Sequence, residues 1–290
     1  MAPRSKIAGV AQMRELNDVS ASSITSMHCG GKIECLLEVD STEELLYLVS
    51  TLEEFFVLGG GTNTIFRDGR VPIPVIRLGQ SFNFIKTDKD SLYVGSATPI
   101  AELLDFCTTD GLSGLEFMAG IPGKIGGALY MNAGAKDKAI MESVSTIEII
   151  DKKGVRTIKK QDLDYCYRCG GISPKATIIS AHFLLDRASP TVVKKNIATA
   201  LGHRKNQPKG YSSGSIFMNP EGTSAGYLID QVGLKGFKVG GAVVSDDHAN
   251  FIINQGSATT SDIRTLISII KKRVKDAFGI ELKEEVAIVG

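Results

Sequence analysis

The stretch GLEFMAGIPGKIGGALYMNAGA, residues 114–135, decides how this 290-residue chain is organised. Glycine and proline interrupt it too often for one long helix, and it is too apolar for a solvated linker. Glycine lets the backbone approach another group closely and leaves its N–H uncovered, here at positions 120, 123, 126, 127 and 134. One such glycine would indicate a buried bend. Five in one apolar segment favour a surface that lies against a nucleotide-type cofactor.

The composition is that of an ordinary globular protein, with 43% apolar and 22% charged residues. The length exceeds that of a usual single core and predicts two or three subdomains. A net charge of +1, from 33 basic and 32 acidic residues, creates no field that would attract nucleic acid. We therefore expect no nucleic-acid partner, and we expect placed residues to hold any anionic ligand.

The sequence also sets expectations about location. No window has the apolar length of a membrane span, and the segment MAPRSKIAGVAQMRELNDVS at residues 1–20 contains no apolar core of signal-peptide length. The cysteines are odd in number and irregularly spaced, which is typical of free thiols, at positions 29, 35, 107, 166 and 169. We expect a cytoplasmic protein without a membrane partner or a metal.

Cys166 and Cys169 form a C-x-x-C motif, a pattern that occurs in zinc sites and in redox proteins. Zinc would need two more soft ligands, and Cys29 with Cys35 is a poor second pair. A thioredoxin-like motif opens a helix, whereas Tyr165-Cys166-Tyr167 is typical of a strand. We interpret the two residues as incidental thiols.

Short strands and separated helices alternate irregularly along the chain, which predicts an α+β fold. Strands are predicted at 33–39, 55–58, 75–78, 91–95, 176–185, 250–254 and 280–289, with a hairpin at 144–150 and 155–158. Helices are predicted after the capping box at 41–44, from Thr98-Pro99 to Gly111, and at 191–203, 224–232 and 260–278. The last helix presents an apolar face made of Ile263, Leu266, Ile267, Ile270, Val274 and Phe278.

A second glycine-rich turn, Gly59-Gly60-Gly61-Thr62-Asn63, directly follows the predicted strand at 55–58. Successive N–H groups in such a turn converge on one anion, as in a phosphate cradle. The turn lacks the Lys-Ser/Thr ending of a P-loop and the spacing of the Rossmann fingerprint. Taken alone, it is explained equally well as a tight turn.

Several blocks together resemble the UDP-N-acetylenolpyruvoylglucosamine reductase family. They are LGGGTN (58–63), the stretch at 114–135, YR (167–168), GSIFMNP (214–220), AGYLIDQVGLKGFKVGGAVVSDDHANFIIN (225–254) and FGIELKEEVAIVG (278–290). The blocks follow the family's order, and the chain is similar to the shorter form, which lacks an extra substrate-covering loop. The resemblance implies an FAD-dependent enzyme that reduces UDP-N-acetylglucosamine enolpyruvate to UDP-N-acetylmuramate with NADPH, for peptidoglycan and cell-wall synthesis.

The resemblance implies a two-part FAD-binding region of the vanillyl-alcohol-oxidase type over residues 1–188, divided near 74/75. An α+β substrate-binding domain would follow over residues 189–290, after the composition shift at 186–190. FAD would be bound without a covalent link, its pyrophosphate held by N–H groups of Gly59, Gly60, Gly61, Thr62 and Asn63. Further cofactor contacts are implied for Ile121, Pro122, Gly123, Gly126, Gly127, Asn132, Ala133 and Gly134. The chain is expected to act as a monomer.

The implied reaction has two halves, in which NADPH reduces FAD and the enolpyruvyl ether then accepts hydride at its terminal carbon. Ser215 resembles the family's proton donor, and Arg168 resembles the guanidinium that binds the substrate carboxylate. Glu285 resembles the carboxyl group that assists polarisation from the opposite side. Taken singly, these three residues would be interpreted as a turn serine, a surface arginine and a solvated acid.

Substrate contacts are implied for Tyr167, Asn219 and His248, with Lys205 or Lys209 near the diphosphate. The chain departs from the family pattern at several places. Cys169-Gly170-Gly171 stands where the family has a serine shortly after the arginine, and Lys136-Asp137-Lys138-Ala139 replaces a polar, glycine-containing run. The departures indicate a divergent member.

Three other functions predict sequence features that differ from those of this chain. An FAD oxidase of the same superfamily would tether flavin through a histidine, but His28, His182, His203 and His248 all lie outside both glycine-rich stretches. His28 remains open to that role on sequence alone. A flavin or nucleotide-sugar binder without chemistry would not need Ser215 or Glu285. A Rossmann dehydrogenase would need a glycine fingerprint that this chain lacks.

Overall fold

A computed structural model of the chain describes residues 13–88 and 91–290. Residues 1–12, which carry most of the segment examined for a signal peptide, lie outside the described residues. The first predicted subdomain contains β1 Arg14–Ser20, β2 Lys32–Val39, α1 Thr42–Thr51, β3 Phe56–Val57, β4 Thr64–Phe66, β5 Arg70–Val71 and β6 Val75–Leu78. The second contains β7 Ile85–Asp88, β8 Ser91–Gly95, α2 Ile100–Asp110, β9 Leu112–Ser113, α3 Ile125–Tyr130, β10 Gly134–Ala135, β11 Lys138–Ala139, β12 Val144–Asp151, β13 Gly154–Lys159, β14 Thr177–Leu184 and β15 Asp186–Arg187.

The remaining elements are α4 Pro190–Gly202, α5 Ala225–Gln231, β16 Lys238–Val239, β17 Ala242–Val244, β18 Ile252–Asn254, α6 Thr260–Phe278 and β19 Ala287–Val289. Short 3₁₀ turns lie at Ala21–Ser23, Gln80–Phe82, Glu116–Met118, Ile140–Ser143 and Lys160–Asp162. Within the described residues, no helix has the length and apolarity that a membrane crossing requires.

Two five-stranded sheets lie within the first two predicted subdomains. In the first sheet, β2 pairs antiparallel with β1 and parallel with β5 and β6, and β3 extends the sheet beyond β6. The second sheet is antiparallel in the order β13-β12-β14-β8-β7, and the β12–β13 hairpin matches the sequence prediction. Alternate residues of a strand face opposite sides of a sheet. The central strand β14 is buried on both sides, since every residue from Thr177 to Ala181 is buried.

The C-terminal elements form a separate core around α6 and the three-stranded sheet β16-β17-β18. The last strand, β19, leaves that core and pairs in parallel with β4, placing Ile288 opposite Ile65. The segment that follows β1 contributes the buried side chains of Met27 and Cys29 to the same C-terminal core. Two connections therefore join the first predicted subdomain to the C-terminal core. One is the pairing of β19 with β4, and the other is the packing of Met27 and Cys29 into that core.

Helix α4 packs against the second subdomain, because Val193 is buried and Ile197 and Ala200 contact the core beneath the second sheet. The side chain of Asn196 adds a hydrogen bond from its Nδ2 to Glu116 Oε1 at 3.1 Å. The domain boundaries at 74/75 and 188/189 stay predictions.

Most predicted elements are present, but three local predictions are wrong. The Thr98 hydroxyl bonds to the backbone of Phe84, so Pro99 occupies the N-cap position of α2 and not the first helical position. Residues 165–167 enter a tight turn instead of a strand. Of the predicted strand at 280–289, only β19 is extended in a sheet. In each case a tertiary contact overrides the local preference.

Candidate active site

A cavity of about 890 Å³ lies between the two glycine-rich stretches and the C-terminal core. Its volume is in the range of small-molecule and cofactor sites. Among its lining residues are 59–63, 121–124, 126–127, 133–136, Arg168, Arg204, 212–215, Asn219, His248 and Glu285. The structure thus brings most of the predicted cofactor, catalytic and substrate residues to one cavity.

The two glycine-rich stretches touch each other through their backbones. A Cβ atom at Gly60 would lie 2.9 Å from the Cα of Gly123, which is closer than such atoms approach in proteins. The Thr62 hydroxyl donates to the Pro122 carbonyl at 3.2 Å and fixes the contact. Glycine is required at position 60 because a side chain would separate the two loops.

The backbone of residues 59–63 presents N–H groups that have no protein acceptor among the described residues. Gly127 also faces open space, since no atom lies within 4 Å of where its Cβ would be. Backbone N–H groups near a cavity are normally paired with protein, water or ligand. A loop of uncovered donors beside an open glycine surface fits the anionic and planar parts of a dinucleotide such as FAD.

Arg168 is carried at the tip of a four-residue turn, in the left-handed region at φ +59°. The turn is closed by reciprocal backbone hydrogen bonds between Cys166 and Cys169 at 2.9 and 3.1 Å. Behind it, Asn132 Nδ2 donates to the Cys166 carbonyl at 2.9 Å. A bulky residue at positive φ is uncommon and is kept there by its surroundings, which here direct the guanidinium into the cavity.

The Arg168 guanidinium forms an ion pair with Glu285 that is largely shielded from solvent. Arg168 Nε lies 2.8 Å from Glu285 Oε1, without the N–H being aligned on that oxygen. A terminal nitrogen of Arg168 donates to the Gly134 carbonyl at 3.2 Å. Burial raises the pKa of Glu285, and the positive charge of Arg168 opposes that rise.

Ser215 lies beside Glu285 because the two residues are on neighbouring segments. The Glu285 N–H donates to the Ile216 carbonyl at 2.8 Å, and the Ile216 N–H donates to the Asn250 carbonyl at the same distance. The Asn250 side chain holds both backbone groups of Phe217. These bonds fix Ser215 on the wall of the cavity that Arg168 and Glu285 also line.

Asn63 links the glycine-rich loop at residues 59–63, here called the cofactor-type loop, directly to the C-terminal segment at 285–289. Its side-chain Nδ2 donates to the Glu285 carbonyl at 3.0 Å, and its own carbonyl accepts from the Ala287 N–H at 3.0 Å. The loop at 59–63 therefore cannot move far without Glu285.

Comparison with known proteins agrees with the family resemblance that the sequence motifs indicate. Residues 206–289 match the model of the UDP-N-acetylenolpyruvoylglucosamine reductase C-terminal domain, and residues 33–158 match an FAD binding domain. The UDP-N-acetylenolpyruvoylglucosamine reductase of Geobacter metallireducens is 38% identical over 281 residues, covering 95% of this chain and 94% of that protein. The chain belongs to the UDP-N-acetylenolpyruvoylglucosamine reductase family.

Two further relatives of the family support the assignment. The reductase of Syntrophobacter fumaroxidans is 39% identical over 278 residues and covers 91% of this chain and 81% of its own length. A solved structure of the Thermus caldophilus reductase superposes with a TM-score of 0.86 at 33% identity, covering 96% of this chain and all of that one. The predicted α+β fold class, with an FAD-binding domain before a C-terminal domain, is confirmed.

Not every residue assigned from the family pattern lines the cavity. Asn219 and His248 do line it. Each side chain also accepts a hydrogen bond from the backbone: Asn219 Oδ1 from the Ala225 N–H, and His248 Nδ1 from the Asn250 N–H. Burial lowers the pKa of His248. Asn132 lies buried behind the Arg168 turn, and Tyr167 lies exposed outside the cavity, with its ring against the Arg168 guanidinium. Their roles as cofactor and substrate contacts stay predictions.

His28, which the sequence left open as a flavin tether, does not line the cavity. Its ring is exposed and stacks on Tyr211 with ring centroids 4.0 Å apart. The cysteines at 29, 35, 107, 166 and 169 are free thiols. Within the described residues, no group of three or more His, Cys, Asp or Glu side chains is arranged to hold a metal ion.

Besides Lys124, which lies inside the glycine-rich stretch, the cavity is lined by three basic residues that sequence reasoning missed. Arg204 lines it with an Nε that has no hydrogen-bond partner among the described residues, and burial, with the nearby charge of Arg168, lowers its pKa. Lys136 Nζ lies 2.8 Å from His203 Nε2, and both line the cavity. Lys205 and Lys209, the predicted diphosphate contacts, do not. Only Lys136 carried a signal, because it directly follows the glycine-rich stretch.

Proposed function

We propose that this chain reduces UDP-N-acetylglucosamine enolpyruvate to UDP-N-acetylmuramate with NADPH, using non-covalently bound FAD, in peptidoglycan precursor synthesis. The observation that carries the proposal is the convergence of the Arg168–Glu285 pair and Ser215 on a cavity that also contains uncovered backbone donors. Family membership at 35–39% identity over most of the chain supports the same activity.

The residues that would hold FAD are the two glycine-rich stretches. The N–H groups of residues 59–63 would bind its pyrophosphate, and Gly127 with residues 121–123 would lie against its planar part. Because neither stretch contains a histidine, we propose non-covalent binding. When bound, FAD would supply the hydride-transfer chemistry that connects NADPH to the terminal carbon of the enolpyruvyl group.

The Arg168 guanidinium has the geometry to bind the substrate carboxylate, because its planar fork matches two oxygens. Hydride addition to the terminal carbon places negative charge on the adjacent carbon and its carboxylate. A fixed positive charge in a shielded cavity stabilises that charge more than it would in water. Glu285 fixes the orientation of Arg168 through the ion pair, and burial raises the pKa of this carboxyl group.

Ser215 is the proposed donor of the proton to the carbon that becomes negatively charged. A serine hydroxyl is a weak acid, so it requires a neighbouring group that favours proton release. Arg168 and Glu285 line the same cavity, and Glu285 lies on the segment hydrogen-bonded to Ile216, the residue after Ser215. We assign the positive charge of Arg168 to this task.

We further propose that the chain works as a monomer in the cytoplasm. One chain supplies each of the proposed catalytic groups, so a second copy is not needed to complete the cavity. The free thiols fit a reducing compartment. Through peptidoglycan synthesis, the reaction would support cell-wall biogenesis, cell shape and cell division.

An anaerobic absorption spectrum tests the proposal. NADPH is added first to the purified, FAD-loaded protein, and the UDP-enolpyruvyl sugar is added second. We expect the yellow colour to bleach with NADPH and to return with the sugar while oxygen is absent. Colour that returns only on admitting air would identify an oxidase. A protein that takes up no FAD would overturn the proposal.

A further inference from the structure

Two exposed cysteines face each other across the turn that carries Arg168. The Cys166 N–H donates to the Cys169 carbonyl at 2.9 Å, and the Cys169 N–H donates back to the Cys166 carbonyl at 3.1 Å. Residues that exchange both bonds in an antiparallel pair have Cα atoms about 5.5 Å apart and side chains on one face. Disulfides span Cα separations of about 4.4–6.8 Å, so the backbone places both thiols within bonding reach.

Both thiols are free and open to solvent, whereas Cys29 and Cys107 are buried. Local desolvation raises the pKa of the Cys166 thiol, and the charge and hydrogen bonding of Cys169 raise it further, as expected for neighbouring sulfurs. A raised pKa reduces the thiolate fraction at neutral pH, so thiol–disulfide exchange at this site becomes faster as the pH rises.

We propose that Cys166 and Cys169 form a reversible disulfide that displaces Arg168, which makes this turn a redox modification site beside the cavity. The turn lies where this chain departs from the family pattern, since Cys169-Gly170-Gly171 follows Arg168 there. The predicted effect on catalysis rests on the proposed function, whereas formation of the bond does not.

The oxidant is a small-molecule disulfide such as oxidised glutathione. One cysteine thiolate attacks it, forming a mixed disulfide and releasing one glutathione thiol. The second cysteine, as its thiolate, then attacks the mixed disulfide at the protein sulfur and releases the second glutathione thiol. The two protein thiols lose two electrons and two protons, and the oxidant becomes two thiols. A dithiol reagent reverses both steps.

Bond formation shifts the turn because the hydrogen-bonded pair is wider than a disulfide. Opposed Cβ atoms in such a pair lie up to about 5.5 Å apart, and the disulfide requires about 3.5–4.5 Å. Closure therefore draws the base of the turn together by roughly 1 Å. Arg168, in the left-handed region between the two cysteines, moves relative to Glu285. Misplacement of a positioned group by about 1 Å slows a reaction by up to about a hundredfold.

Peptide mapping tests the bond itself. Trypsin cleaves after Arg168, between the two cysteines, and gives the peptides 161–168 and 169–175. After the FAD-loaded protein is treated with oxidised glutathione and freed of reagent, we expect these peptides to be joined and to separate on reduction. Their absence as a joined pair would overturn the proposal whether or not the protein is a reductase.

Stopped-flow measurement of the two half-reactions tests the link to Arg168. In the oxidised protein we expect reoxidation by the UDP-enolpyruvyl sugar to slow by roughly tenfold or more, with flavin reduction by NADPH unchanged and the loss reversed by dithiothreitol. A joined peptide pair with unchanged reoxidation would overturn the link.

Serine variants locate the effect. The double variant Cys166→Ser/Cys169→Ser, which can form neither the disulfide nor a mixed disulfide at this turn, should show equal rates before and after oxidant treatment. Cys35→Ser, which changes a half-buried cysteine elsewhere, should respond as the wild type does. Each variant is compared with its own reduced form. Loss of reoxidation in the double variant after treatment would place the oxidation at another residue and overturn the assignment.

Discussion

Ser215 and Ser213 line the same cavity two residues apart, yet we assign proton donation only to Ser215. Ser213 is buried with a hydroxyl that has no partner among the described residues, so it is the matched comparison. Ser215→Ala should leave reduction of the flavin by NADPH intact and slow its reoxidation by the enolpyruvyl sugar by roughly 10²–10⁴-fold. Ser213→Ala should leave both steps near wild type. Stopped-flow absorbance separates the steps, and equal damage to both by Ser215→Ala contradicts the assignment.

Gly127 is a direct residue-scale probe of the cofactor site. It lies inside α3, and an added Cβ would meet no protein atom but would project into the cavity. Gly127→Ala should therefore keep the apoprotein as stable or raise its free energy of unfolding by about 0.5–1 kcal/mol, since alanine favours helix. FAD affinity should fall because the methyl group occupies cofactor space.

Isothermal titration with FAD and urea unfolding of the apoprotein measure the two effects of Gly127→Ala. Gly202→Ala is the control, because Gly202 ends α4 outside the cavity and also has open space around it. Unchanged FAD affinity in Gly127→Ala, with normal apoprotein stability, would remove this glycine from the cofactor site.

At the scale of elements, the Glu116 side chain connects the beginning of the stretch 114–135 to helix α4 by hydrogen bonds. Its carboxylate accepts from the Ser113 hydroxyl at 2.6 Å, the Gly114 N–H at 2.7 Å and Asn196 Nδ2 at 3.1 Å. Burial alone would raise the pKa of Glu116, but these hydrogen bonds outweigh burial and lower it. Glu116 thus stabilises the contact of α4 with the second subdomain.

Glu116→Gln should lower the free energy of unfolding by about 1–2 kcal/mol at pH 7, because the new amide directs a donor at existing donors. A lowered folded-state pKa contributes stability above the usual carboxyl value of about 4.3, and that contribution is lost as pH falls through the folded value. The difference between wild type and variant in urea unfolding should shrink at pH 3. Glu53→Gln, at an exposed loop residue, should show no difference at either pH.

At the scale of the whole molecule, the cofactor-type loop and the C-terminal segment form one connected unit. Asn63 bonds to Glu285 and Ala287, and β19 continues that connection by pairing with β4. FAD bound at residues 59–63 should therefore slow amide hydrogen exchange at 285–289, which belong to the C-terminal segment. The β12–β13 hairpin should exchange as before.

Asn63→Ala tests the side-chain part of this coupling, because it removes the bond to the Glu285 carbonyl and keeps the loop backbone, with its bond to the Ala287 N–H, in place. In that variant, FAD should still protect residues 59–61, and protection at 285–289 should be reduced. Hydrogen exchange with mass spectrometry resolves these segments. Protection confined to 59–63 and 121–134 in the wild type would show that the two regions respond independently.

The sequence identified features that depend on local chemistry. The apolar period of α6 and Gly279, at φ +70°, match the sequence prediction for this helix, and five of its six apolar positions are buried. A capping box at Thr259 begins the helix. Phe278, the sixth, is 42% exposed because the last turn extends past the core. The glycine-rich stretches were also recognisable, because close approach and uncovered N–H groups require glycine itself.

The tertiary structure decided features that depend on distant partners. Tyr165, Cys166 and Tyr167 have high strand propensity, but Asn132 holds the Cys166 carbonyl, and a Cβ at Gly170 would lie 2.1 Å from the Leu129 carbonyl. The backbone must therefore turn at this point, and the turn makes the two cysteines neighbours. Arg204 entered the cavity without any sequence signal, because a charged residue after a helix is normally solvated.

What the sequence by itself determined is the fold class, the family and the three proposed catalytic residues, since short motifs in a fixed order carry that information. What only the tertiary structure decided is which residues meet. Arg168 reaches Glu285 across 117 positions of sequence because a strained turn and the β19–β4 pairing place them 2.8 Å apart. Contacts of that kind depend on the packing of separate elements, and no local pattern of residue types encodes the distance between them.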